Sequence, residues 1–170
     1  MQVQVHWIEG PWPGRLALAA RPRGGDWLYH EALGWRALNI DTVVSLLVPG
    51  EVLELDLQDE AEICGMNRID FVTFPIEDRD VPSAYLPTLR LLDDLESRLN
   101  RGEVVLIHCR QGVGRAGMIA SALLINRGMT PKSAVQHVSS ARGIPVPETR
   151  EQMAWLDNLS SRMAAARLAS

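Results

Sequence analysis

An α/β fold, with a mainly parallel sheet flanked by helices in three layers, is predicted by three features of the sequence. Thr42 to Val48 and Val104 to Ile107 are continuous apolar runs, the pattern of strands buried on both faces. Segments of helical period separate the strands, and the connections are long enough for parallel crossovers. No repeat or low-complexity linker divides the 170 residues, so a single domain over 1–170 is expected.

Taken in order, Val3 to Glu9 and Leu16 to Ala20 read as short strands separated by a Gly-Pro-Trp-Pro-Gly turn. Asp26 is placed to cap a helix running through Trp27 to about Leu38. The strand Thr42 to Val48 follows, then short helical pieces between Glu51 and Asn67. Phe71 to Ile76 is the next strand and ends in a turn-rich segment, Glu77 to Pro82. Ser83 then caps a long amphipathic helix to about Asn100, which Gly102 stops. Val104 to Ile107 leads through a glycine-containing loop into a helix, Met118 to Asn126, ended by Gly128. Two further helices cover Pro131 to Ala141 and Glu148 to Ala165, and the Ala-rich segment from Met163 to Ser170 is expected to fray.

Hydrophobic residues make up 46% and charged residues 22%, an ordinary balance for a soluble domain. A net charge of −4 gives no global attraction to nucleic acid or to an anionic membrane, so any anion site must be built locally. No run approaches the length of a bilayer span, and Met1 to Gly10 does not read as a signal peptide. With only Cys64 and Cys109, no disulfide framework is expected, which suits a reducing, cytoplasmic setting.

The segment that carries chemistry is Val104-Val-Leu-Ile-His-Cys-Arg-Gln-Gly-Val-Gly-Arg-Ala-Gly117. An apolar strand ends in His108 and Cys109, and a loop with Gly112 and Gly114 leads into a helix. The glycines allow successive N–H groups to point inward, and the helix adds its unpaired N–H groups and dipole. Such a cup fits a phosphate-sized anion, with Arg110, Gln111, Gly112, Val113 and Gly114 as its wall. Arg115 follows Cys109 by six positions, and its planar guanidinium can grip two phosphate oxygens. The same groups favour the thiolate of Cys109, an activated nucleophile for covalent catalysis. The plain alternative is a buried structural thiol, which would not call for an arginine and two glycines at these offsets.

The Cys-x5-Arg spacing, with His before it and Gly at the third loop position, resembles the signature of the protein tyrosine and dual-specificity phosphatases, in their compact atypical form. Rhodanese-like sulfurtransferases also place a cysteine in an anion-binding loop, but usually a shorter one. The phosphatase resemblance covers roughly Leu16 to Leu159. It implies a four-stranded parallel sheet of order 1-4-2-3 with the cysteine strand central, phosphorylated protein or peptide substrates, no cofactor and no metal. Pro75-Ile-Glu-Asp-Arg-Asp-Val-Pro-Ser83 looks like the general-acid loop of small dual-specificity phosphatases, Pro-Ile-x-Asp-x-x-x-Pro, which makes Asp78 the acid and Asp80 its alternative. A phenolic leaving group needs such a proton as it departs. The family most often has Ser or Thr after the arginine, where this chain has Ala116. That hydroxyl helps the thiolate leave the phospho-enzyme, so slow turnover is expected, although phosphatases of regenerating liver share the Arg-Ala pair. A competing reading is a phosphate-recognising binding module with little turnover.

Among supporting residues, His108 is expected to buttress the loop. Gln152 is either a water-orienting glutamine, as in several relatives, or an exposed helical residue. Cys64 reads as a buried thiol rather than a redox partner of Cys109. Arg21 to Trp27 either touches substrate or fixes a turn. His137 and Arg142 are expected to be solvated, and His6 and His30 have no neighbours at metal-ligand spacing.

Overall fold

A computed structural model describes residues 2–170. Its sheet has five strands in the order β1-β2-β5-β3-β4. These are β1 (His6–Ile8), β2 (Arg15–Ala19), β3 (Thr42–Ser45), β4 (Asp70–Thr73) and β5 (Val104–His108). The last four are mutually parallel and, counted alone, follow the expected order 1-4-2-3. The expected count of four is corrected by β1, which joins β2 antiparallel through the Gly-Pro-Trp-Pro-Gly turn and extends the sheet at that edge.

Among the described residues, seven α-helices cover the sheet. They are α1 (Leu28–Ala37), α2 (Pro49–Glu54), α3 (Glu60–Met66), α4 (Tyr85–Asn100), α5 (Gly114–Asn126), α6 (Pro131–Arg142) and α7 (Arg150–Ala169). Alternation along the strands divides the core. Leu16, Leu18, Val44, Val105 and Ile107 pack against α4, α5, α6 and α7 on one face. Ala17, Ala19, Val43 and Leu106 meet Ala32 and Trp35 of α1 and Cys64 of α3 on the other. Helix α5 is the hub of the larger cluster, buried along all but its final residue, which is why its sequence is apolar all round.

Local starts and stops differ from the sequence expectation in four places. Asp26 lies inside a short 3-10 turn, Gly25–Trp27, and caps nothing. Helix α4 begins after Ala84 rather than Ser83, and Thr88 Oγ1 donates to the Ala84 carbonyl at 2.7 Å. Helix α5 begins at Gly114, four residues before Met118, so Arg115 and Ala116 belong to its first turn. Helix α7 continues to Ala169 instead of fraying, as the helix propensity of its alanines allows.

Ala19, Ser45 and His108 are laterally paired at the carboxyl ends of β2, β3 and β5. Cys109 therefore emerges from the central strand at the edge where parallel sheets bind ligands. Among the described residues, no helix is long and apolar enough to cross a membrane.

Candidate active site

The loop after β5 is shaped by three backbone constraints. Arg21 N–H donates to the Arg110 carbonyl at 3.2 Å, tying the loop to the segment after β2. Gly112 has φ +70°, and a Cβ there would lie 2.5 Å from the Ala19 carbonyl, so both conformation and space require glycine. Gly114 serves a different purpose from the one expected. Its φ is not in the left-handed region, but a Cβ would come within 2.6 Å of Glu148 Oε2. No side chain caps the start of α5 at Val113, which leaves the N–H groups of the first turn directed at the cup.

Arg142, expected in solvent, instead braces the loop. Its Nε donates to the Gly112 carbonyl at 2.9 Å and its Nη2 to the Gln111 carbonyl at 3.0 Å. Composition could not reveal this, because Arg142 ends α6 and the contact depends on how α6 crosses α5. His137 likewise meets the Glu9 carbonyl, with Nε2 at 2.6 Å.

Arg115 is 1% exposed. Nη1 and Nη2 donate to the two carboxylate oxygens of Glu51 at 2.7 and 2.9 Å, and Nη1 also donates to the Ile76 carbonyl at 2.9 Å. Burial opposes the charge of Arg115, but Glu51, Cys109 and Asp78 together raise its pKa above the ordinary value. Glu51 shows the converse balance. Burial pushes its carboxyl up, but Arg115, the Val48 N–H and Arg110 hold it below the usual carboxylate value. Glu51 was not singled out from sequence, and only its position at the first turn of α2, after Pro49, sets it apart.

Cys109, Arg110, Gln111, Arg115, Asp78 and Glu148 line one cleft of about 120 Å³, together with Arg79 and Gly114. Asp78 Oδ1 lies 3.2 Å from Arg115 Nη2, with its side chain 54% exposed. Asp80 faces elsewhere: its Oδ1 accepts from the Val81 N–H at 2.8 Å, and it borders a separate cavity beside Pro75 and Pro82. Between the two aspartates, Arg79 adopts φ +62°, a left-handed conformation that a glycine would take without steric cost. Gly112 and Val113 do not line the cleft. Val113 turns into the core at 6% exposure, and Arg110 points at Glu54, with Nη2 to Oε1 at 2.6 Å.

His108 is fully buried. Its Nε2 lies 2.7 Å from Glu60 Oε1, its ring stacks on Trp35, and Nδ1 is a longer 3.4 Å from the Cys109 carbonyl. Its main anchor is therefore α3, and Glu60 is a second carboxylate that sequence reading missed. Gln152 is also fully buried, which corrects the exposed alternative. Its Oε1 accepts from the N–H groups of Glu148 and Thr149 at 3.0 and 3.2 Å, and its Nε2 donates to the Asp80 carbonyl at 3.1 Å. Gln152 is thus absent from the cleft wall, where Glu148 stands in its place. Cys64 belongs to the core on the opposite face from Cys109, and burial and Glu60 push its thiol up to about 12. In the segment Arg21 to Trp27, Arg23 pairs with Glu31 and lies over the Trp27 ring, which favours the turn-fixing role for these residues. Among the described residues, no cluster of three or more His, Cys, Asp or Glu is arranged to hold a metal.

Comparison with known proteins agrees with this architecture. In Arabidopsis thaliana, a phosphatidylinositol 3,4,5-trisphosphate 3-phosphatase and protein-tyrosine-phosphatase, PTEN1, is 32% identical over 95 residues, covering 51% of this chain and 23% of that protein. The matched stretches span 23% to 43% of the curated relatives' own lengths. The kinase associated phosphatase KAP, solved with its catalytic-site cysteine changed to serine, superposes with a TM-score of 0.89 at 19% identity, covering 97% of this chain and 98% of that one. Tk-PTP in its active form gives a TM-score of 0.76 at 29% identity, covering 95% and 99%. The family described as "Swiss Army Knife protein, DSP-PTPase phosphatase domain" (PTP-SAK) matches residues 3–167. This chain belongs to that DSP-type phosphatase-domain family.

Proposed function

We propose that the chain is a single-domain, cysteine-dependent phosphatase that hydrolyses phosphomonoesters on proteins, with phosphotyrosine as the first candidate substrate and phosphoserine and phosphothreonine as the second. The observation that carries this reading is the meeting of Cys109, Arg115 and Asp78 on one small cleft. In the first step Cys109 Sγ attacks phosphorus, the P–O ester bond breaks, and Asp78 gives its proton to the departing oxygen. Arg115 and the inward N–H groups hold the equatorial oxygens as charge develops. In the second step a water oxygen attacks phosphorus, the P–S bond breaks and the thiolate returns, while Asp78 takes the water proton. Two free cysteines suit work in a reducing cytoplasm.

The binding-module reading draws support from Ala116, which is fully buried and offers no hydroxyl to the departing thiolate. Hydrolysis of p-nitrophenyl phosphate, in single-turnover and steady-state modes, separates the two. Under the phosphatase reading Cys109→Ser abolishes nitrophenol release, Asp78→Ala slows it, and Ala116→Ser raises the steady-state rate. Wild-type protein that releases no nitrophenol in a first turnover, and leaves phosphopeptides intact, would establish the binding module instead.

A further inference from the structure

A second cavity, of about 390 Å³, opens where the carboxyl end of β2 meets the N-terminal segment. Three arginines line it: Arg21, Arg23 and Arg142. Arg23 is matched by Glu31 in an ion pair. Arg21 and Arg142 have no carboxylate within ion-pair distance among the described residues, in a chain whose net charge is −4. Arg21 is exposed and Arg142 half-buried; by comparison the half-buried Arg98 is matched by Asp70 and Asp94, and the buried Arg115 by Glu51. A guanidinium carries five N–H donors in a fixed fork. Arg21 uses only Nη1, to the Pro22 carbonyl at 3.2 Å, and Arg142 has no acceptor at Nη1.

Two further features belong to this wall. Trp35, on the same wall and 1% exposed, has a buried indole Nε1–H with no acceptor, an uncommon state for a buried donor. His6, also on this wall, has its pKa lowered by burial and by the charge of Arg142, so it registers the positive potential of the site. The volume lies within the range of small-molecule sites and exceeds that of the Cys109 cleft.

We propose that this cavity is a second anion site, taking a phosphate-class small anion between Arg21 and Arg142, and that Arg142 passes its occupancy to the phosphate loop. Arg142 is the physical link, since the guanidinium that faces this cavity also holds the Gln111 and Gly112 carbonyls. An anion drawing on Nη1 competes for the orientation of that group and changes the grip on the loop. The proposal goes beyond the reaction proposed above, and its binding arm needs no turnover.

The test titrates inorganic pyrophosphate while following the Trp35 indole resonance, assigned through Trp35→Phe. Trp35 also touches His108, so binding in the cleft could reach the same probe. The control is Arg21→Glu, which leaves the cleft residues in place. We expect a shift at Trp35 with a dissociation constant of about 1 mM or tighter, weakened about tenfold or more by Arg21→Glu. Inhibition of p-nitrophenyl phosphate hydrolysis should be mixed in the wild type and purely competitive in Arg21→Glu. An absent shift, or one unchanged by Arg21→Glu, overturns the site. A shift that Arg21→Glu removes, accompanied by purely competitive inhibition in the wild type, overturns the coupling through Arg142.

Discussion

Replacing Glu51 by alanine removes both carboxylate oxygens that receive the Arg115 guanidinium, at 2.7 and 2.9 Å. Arg115 is 1% exposed, so the stranded charge cannot turn to water without opening the core. Its remaining partners are the Ile76 carbonyl at 2.9 Å and Asp78 at 3.2 Å, the latter more than half exposed and therefore weakly stabilising. Removing one member of a buried, hydrogen-bonded pair costs on the order of 3 kcal/mol, the lower end of the usual range because Ile76 still accepts. That is about a hundredfold in the folding equilibrium, or roughly 6 to 12 °C in Tm for a chain of this size. Glu51→Gln keeps one oxygen and should lose about half as much. Urea unfolding, with Cm read at constant slope, measures both variants.

The pH dependence supplies an internal check. The folded pKa of Glu51 lies below its ordinary value of 4.5, so its stabilising contribution is fully present above about that pH. The contribution is lost as pH falls through the depressed folded value. The gap between wild type and Glu51→Gln should therefore narrow on acidification below pH 4.5 and stay constant from there to neutrality. A loss under about 1 kcal/mol for Glu51→Ala, or a gap independent of acid pH, would refute the claim that this carboxylate holds Arg115.

Two other substitutions examine the walls of the cleft. Gly112→Ala places a Cβ 2.5 Å from the Ala19 carbonyl at φ +70°, so nitrophenol release should fall about a hundredfold through displacement of the loop, while far-ultraviolet circular dichroism stays native. Glu148→Gln removes a negative charge from the cleft that receives the phosphoryl group, so inorganic phosphate should inhibit several-fold more tightly, with the effect shrinking at high salt.

What could be read in advance divides by sequence distance. The strand, the loop and the Cys109–Arg115 spacing lie within one short segment, where periodicity and glycine positions speak directly. Asp78 could be reached by its local pattern. The partners of these residues could not. Glu51 lies 64 residues from Arg115 and Glu60 lies 48 from His108, and each looks like an ordinary first-turn helical glutamate. Arg142 misled in the same way, because the end of α6 resembles any solvated C-terminus until its packing against α5 is known. Strand β1 was legible as a strand, but its antiparallel attachment added an edge that the four-strand expectation lacked.

The Gln152 side chain joins three pieces of backbone: the Glu148–Thr149 turn, the head of α7 and, through the Asp80 carbonyl, the loop bearing Asp78. Because that amide is fully buried, its bond to the Asp80 carbonyl favours one shape of the loop before any substrate arrives. The entropy of ordering it is met once in the life of the molecule, so encounter with a phosphoryl group need not wait for a lid to close. Such a site would show rates nearly indifferent to solvent viscosity, and would select substrates by what fits a preset opening rather than by what can induce one.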